Sequence, residues 1–182
     1  MLQLVISAIL FLAPSMSPHR ARNYAILVTR EAAHRKVNPL VVVSVIHHET
    51  GGTWRARLRS HTNDYGLMQV HVSQTTHRRY TGREHLLYRP KLNIYLGTRF
   101  LGIAKKWHLK NCRKKNHKWW SHYNWGFRVL KNRRYERSVS KILNRLRLRF
   151  GDTGATSLVM AVPRDADIET SRYLEQMDSK KL

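Results

Sequence analysis

Glu49 is the first residue to attract chemical interest. It closes the run LVVVSVIHHE (Leu40 to Glu49), which is apolar on nearly every face of a helix, and Gly51-Gly52 stop the run directly after it. Only five carboxylates precede residue 151, namely Glu31, Glu49, Asp64, Glu84 and Glu136. An ionised side chain at the end of a buried helix is costly to desolvate, so burial raises its pKa and keeps a proton in place near neutral pH. Such a group suits a general acid that must protonate a poor alkoxide leaving group, a glycosidic oxygen being one example. Salt screens distant positive charge over about 8 to 10 Å. Burial therefore prevails unless His47 or His48 is protonated beside the carboxyl. The plainer reading is a helix-end Glu bonded to a loop amide or paired with Arg55.

The elements that must hold this residue are helical. Asn38-Pro39 is a helix start, since Asn caps free amides and Pro suits the first helical position. A further helix runs over about Arg22 to Arg35. Leu92, Leu96, Phe100, Ile103 and Trp107 form one stripe after Pro90, and Tyr135, Val139, Ile142, Leu146 and Phe150 form another. Strand-like alternation is scarce and there is no internal repeat. The expectation is an all-α or nearly all-α domain, with room for a small hairpin near residues 52–66.

Length and composition agree with one domain and its tails: 182 residues, 42% hydrophobic and 25% charged, with Gly 9 and Pro 5 excluding low-complexity character. The formal charge of +23 implies a polyanionic partner: nucleic acid, an acidic membrane surface or a bacterial cell envelope. That charge belongs to the body. Thirty Lys and Arg face five carboxylates before residue 151, whereas four face six after it. Residues 151–182 thus read as an acidic, flexible C-terminal tail with one short helix near Ile168 to Met177, a docked C-terminal helix being the alternative. Residues 1–17 contain LQLVISAILFLA, too short to span a bilayer and about right for a signal peptide cleaved after Ser15, although no Lys or Arg precedes Arg20. An uncleaved hydrophobic anchor or a buried first helix is the alternative. The domain proper is residues 18–150.

Four blocks in order carry a family resemblance: PLVVVSVIHHETGG (Pro39 to Gly52), DYGLMQV (Asp64 to Val70), NIYLGTRFL (Asn93 to Leu101) and HYNWG (His122 to Gly126). Together they resemble the soluble lytic transglycosylase domain of the lysozyme-like superfamily, over about residues 22 to 148. The resemblance implies a lysozyme-like helical domain with Glu49 as catalytic acid and then base. It implies substrate contacts from Thr50, Gly66, Leu67, Met68, Gln69, Tyr123 and Asn124, with the Tyr123 hydroxyl bonded to the catalytic carboxyl. It further implies peptidoglycan glycan strands as substrate, cut between N-acetylmuramic acid and N-acetylglucosamine to leave a 1,6-anhydro sugar. No cofactor is implied, and a monomer is expected.

Three departures bear on that reading, and one is His61-Thr62-Asn63-Asp64-Tyr65 in place of the family's usual Ser and Gly-Ala approach to Gly-Leu-Met-Gln. Thr50 stands where the family usually has Ser, which keeps the hydroxyl. More serious is Asp64-Tyr65-Gly66, which resembles the loop of animal-type lysozymes, making Asp64 a candidate second carboxylate. A pair about 5 to 5.5 Å apart would permit retaining hydrolysis through a covalent intermediate. Asp64 reads more readily as a loop residue bonding nearby amides.

Rival classes rest on other residues of the same body. His48-Glu49 begins the zinc-protease signature, but Gly52 stands where its second His belongs. No ligand spacing singles out His47, His61, His71 and His122, and a lone cysteine, Cys112, excludes a disulfide framework; no metal is expected. Lys105 to Trp119 interleaves cations with aromatics, as nucleic-acid binders do, yet a basic face would equally hold an enzyme to anionic envelope polymers, so nucleic acid is the secondary partner. The location expected is exported, periplasmic or envelope-associated, or within a virion if phage-encoded; the build suits a phage or secretion accessory as well as a stand-alone lysin.

Overall fold

The computed structural model describes residues 1–73, 77–112, 116–125 and 133–151. The expected tail helix near Ile168 and residue Gly126 of the fourth block lie outside them.

The body is helical. α1 (Leu2–Leu12) leads through Ser17, whose hydroxyl accepts from the Arg20 amide at 3.3 Å, into α2 (Pro18–Arg35). Lys36, left-handed at φ 52°, ends α2. α3 (Pro39–Glu49) starts where Asn38 accepts from the Leu40 amide at 2.8 Å and Pro39 occupies the first turn. All seven residues from Leu40 to Ile46 are buried, so α3 is the axis of the core. The one polar side chain among them, Ser44, is satisfied by the Leu40 carbonyl at 2.7 Å. α1, α2 and α6 (Arg134–Phe150) pack around α3, and α4 (Pro90–Asn111) packs on α2. Short 3-10 turns at Arg78–Tyr80, Glu84–Tyr88 and Trp119–Ser121 join the helices, the last running into α5 (His122–Trp125).

The only sheet among the described residues is a two-stranded antiparallel hairpin, β1 (Asp64–Tyr65) against β2 (Val70–His71), with Tyr65 opposite Val70. It lies later than the 52–66 expected, because residues 66–69 form its loop; Arg59 adds one bridge to Tyr65.

Two helical faces differ from the expected stripes. On α4 the buried positions include Ile94, Leu101 and Ala104, while Ile103 is 44% exposed. α4 is packed against α2 on one side and β2 and α5 on others, and these neighbours rotate its buried face away from Ile103. On α6 the buried line is Tyr135, Val139, Leu143 and Leu146, with Ile142 at its edge. α1 is not separate from the body: Val5, Ala8 and Ile9 are fully buried, and Phe11 meets Phe150 edge-on at 5.9 Å. No described helix is long and apolar enough to cross a membrane.

Candidate active site

Glu49 ends α3, and the next residue closes that end. Thr50 is buried, and its hydroxyl donates back to the Ile46 carbonyl at 2.8 Å. The Thr50 hydroxyl proton therefore serves the helix terminus. The Glu49 carboxyl is raised from its ordinary 4.5 to about 7. Loss of solvent is the main cause, the Tyr135 hydroxyl opposes it, and the negative charge of Asp64 adds to it. Tyr135 comes from the first turn of α6 and is buried. Its hydroxyl has no aligned hydrogen-bond partner among the described residues, yet stands near enough to favour the charged form of Glu49.

The two histidines before Glu49 do not take its proton. Trp54 Nε1, which can only donate, bonds His47 Nδ1 at 3.2 Å, so that nitrogen carries the lone pair. Burial lowers the His47 pKa first, and the charges of Arg145 and His48 lower it further. His48 has Nδ1 2.9 Å from the Ser138 hydroxyl and its ring edge-on to Tyr135 at 4.8 Å; burial lowers its pKa too. Both rings are neutral near pH 7 and leave burial to govern Glu49.

The segment Gly66 to Gln69 turns the hairpin, and a residue from another element holds its shape. Asn93, fully buried on the first turn of α4, accepts from the Met68 amide at 2.7 Å. Its Nδ2 donates to the Tyr65 carbonyl at 2.7 Å and the Leu87 carbonyl at 2.9 Å. Gly66, at φ +77°, passes so close that a Cβ there would stand 2.3 Å from Asn93 Nδ2. Gly97 makes room in the same way for Met68, whose sulfur would be 2.5 Å from an added Cβ. Gln69 is left-handed at φ 46°, and its Nε2 donates to the Gly66 carbonyl at 2.8 Å.

The residues of the implied substrate set are placed as follows. Leu67 and Met68 are fully buried and have no side-chain surface for a sugar; they anchor the loop in the core. The Tyr123 hydroxyl donates to the Met68 carbonyl at 2.7 Å rather than to the Glu49 carboxyl. Asn124 follows on α5 and is exposed. Asp64 is held on both oxygens: Oδ2 accepts from Ser60 at 2.7 Å and Thr62 at 2.5 Å, and Oδ1 pairs with His71 Nδ1 at 2.8 Å. A surface hollow of about 580 Å³ adjoins the hairpin through Tyr65, Arg59 and Tyr88, and Glu49 does not line it.

Asn93 and Tyr135 carry no mark of a site residue in the sequence. Asn93 lies inside the third block, where a polar residue within an apolar helical run is the signal available; Tyr135 reads only as one more apolar position of a helix. Of the four histidines considered for a metal, His47 sits on Trp54 and His71 on Asp64. His122 gathers with His108, His117 and Cys112.

A core helix that ends in a carboxyl raised to about 7, together with a hairpin whose loop is pinned from a second helix, belongs to a mostly helical, lysozyme-like domain. A family model described as Transglycosylase SLT domain matches residues 26–145, and the chain belongs to that family. The family implies lytic transglycosylase-type cleavage of peptidoglycan, with glycan strands as substrate. No curated protein and no solved structure matches the chain.

Proposed function

We propose that this protein cleaves the bond between N-acetylmuramic acid and N-acetylglucosamine and leaves a 1,6-anhydromuramic end. The observation that carries the reading is the Glu49 carboxyl, which holds its proton up to about pH 7 beside two neutral imidazoles. In its protonated form Glu49 gives that proton to the glycosidic oxygen as the bond from C1 breaks, with the muramic N-acetyl group assisting. The resulting carboxylate takes the proton of the C6 hydroxyl as O6 bonds C1. Glu49 ends as it began and no water is consumed. Tyr135 is placed to stabilise the carboxylate between the two steps.

The hydrolytic alternative needs Asp64 as nucleophile. Its two oxygens are engaged by Ser60, Thr62 and His71, which supports a loop-bracing role instead. The basic surface suits attachment to anionic envelope polymers, and the substrate class carries export or delivery in a virion with it. The test is digestion of purified peptidoglycan by the protein and its Glu49→Gln variant, with the products weighed. Anhydro ends that vanish in the variant support the proposal; reducing ends, heavier by one water, support the muramidase; and release that is independent of Glu49 overturns both.

A further inference from the structure

His108 lies in the last turn of α4 and Cys112 caps that helix four residues later, so the two share a face. His117 precedes the 3-10 turn at Trp119–Ser121, and His122 opens α5. One donor atom from each of the four lies within 4.8 Å of every other. His122 Nε2 is 3.3 Å from His108 Nδ1 and 3.0 Å from His117 Nε2. A ring nitrogen carries either one proton or one lone pair, so a single nitrogen cannot make a well-aligned hydrogen bond to two others at once. Three lone pairs converging on one cation satisfy all three nitrogens. In a tetrahedral zinc site with bonds of about 2.0 to 2.1 Å the nitrogens stand about 3.3 Å apart, close to what is seen. Cys112 is buried, the one cysteine of the chain, and forms no disulfide. His122 is buried as well.

We propose that His108, Cys112, His117 and His122 bind one divalent zinc-class cation in a tetrahedral site that ties the end of α4 to α5. The donor set of three imidazoles and one thiolate, mixed nitrogen and soft sulfur, selects this class over magnesium or calcium. Four protein ligands leave no open position, so the ion is structural. Binding releases the thiol proton to solvent. The next residues after His122 are Tyr123 and Asn124, and the Tyr123 hydroxyl holds the Met68 carbonyl of the hairpin loop. The same stretch is tied to α6, where Glu136 accepts from the Lys118 amide at 3.1 Å. The cation thus braces the stretch that holds the hairpin loop through Tyr123, and does so whether or not the cleavage chemistry proposed above is right.

Chelator-treated full-length protein is titrated with Zn²⁺, and separately with Co²⁺, whose visible spectrum reports geometry. The result expected is one tightly held ion per chain, a raised Tm reversed by chelator, and a cobalt spectrum with intense tetrahedral bands and thiolate charge transfer. Cys112→Ser abolishes the charge transfer. His117→Ala, at a half-buried position, weakens Zn²⁺ binding by more than the roughly tenfold that loss of an outer-shell partner costs. Far-UV circular dichroism confirms that both variants are folded. Failure of the folded wild-type protein to take up stoichiometric Zn²⁺, or a cobalt spectrum unchanged by Cys112→Ser, overturns the site. Peptidoglycan cleavage enters neither readout, so a failed cleavage reading and a failed metal reading are told apart.

Discussion

The Tyr123 hydroxyl donates to the Met68 carbonyl at 2.7 Å, across 55 residues of chain. This bond joins α5 to the hairpin loop, which Asn93 holds from the other side through the Met68 amide. The Gly66 to Gln69 loop is therefore clamped at Met68 through both its N–H and its C=O. Tyr123→Phe removes one clamp with almost no change in volume. Cleavage should fall several-fold with the Glu49 pKa little moved, and the pH profile of the variant, set beside its rate, checks this.

In the proposed role of general acid, Glu49 sets the alkaline limit of activity. With its pKa near 7, the acid form falls about tenfold per pH unit above that point, and the rate of glycan cleavage should follow. A pH profile on soluble glycan strands measures it. A limb near the ordinary 4.5 would remove Glu49 from the role of general acid.

The raised pKa has a stability consequence as well. A carboxyl whose folded pKa is raised contributes fully below its unfolded pKa and loses that contribution as pH rises through the folded value. Wild-type protein should thus lose about 3 kcal/mol relative to Glu49→Gln between roughly pH 4.5 and 7, since each pH unit between the unfolded and folded values is worth about 1.4 kcal/mol. Denaturant melts of both proteins at pH 4.5 and 8 give the difference. Comparing the change with pH in the two proteins cancels the fixed cost of burying the Gln amide.

Tyr135 lowers the Glu49 pKa, against the pull of burial. Tyr135→Phe should move the alkaline limb upward and slow the step in which the carboxylate must persist. The pH profile of that variant is the measurement, and a downward movement would contradict the assignment.

Asn93 satisfies three buried backbone groups at once. Asn93→Ala leaves the Met68 N–H and the Tyr65 and Leu87 carbonyls without this partner, at about 1 to 3 kcal/mol each. A loss of several kcal/mol, read by denaturant melt, should accompany loss of cleavage. Asn93→Asp should fail similarly, because a carboxylate cannot donate to the two carbonyls.

α1 supplies Val5, Ala8 and Ile9 to the core. Deletion of residues 1–15 should lower the Tm and expose apolar surface on α2 and α3, which dye binding would detect. An unchanged Tm would favour the cleaved leader read from the apolar run.

Much of the frame is legible in the sequence because it is written in neighbouring residues. Asn38-Pro39 and Gly51-Gly52 bound α3, and the run between them, apolar on nearly every face, already requires the core. A Glu at the end of such a run is costly to ionise, which makes a raised pKa an expectation, while the neutral state of His47 that lets burial prevail depends on Trp54. The hairpin and the buried face of α4 are less legible. A strand of two residues has no periodicity to read, and Ile103 is as apolar as Ile94 until α2, β2 and α5 decide which side of α4 meets protein.

Adjacent residues suffice for the helices, the acid at the end of α3 and the glycines that let the loop turn, since helix caps, apolar period and chain reversal each depend on a few neighbours in the chain. The partners of these groups depend on packing. Tyr135 reaches Glu49, Asn93 reaches Met68, and His108, Cys112, His117 and His122 converge, only because packed helices bring distant positions together. Side-chain meetings across tens of residues leave no local pattern; they come from how buried faces fit, which is a property of the whole core.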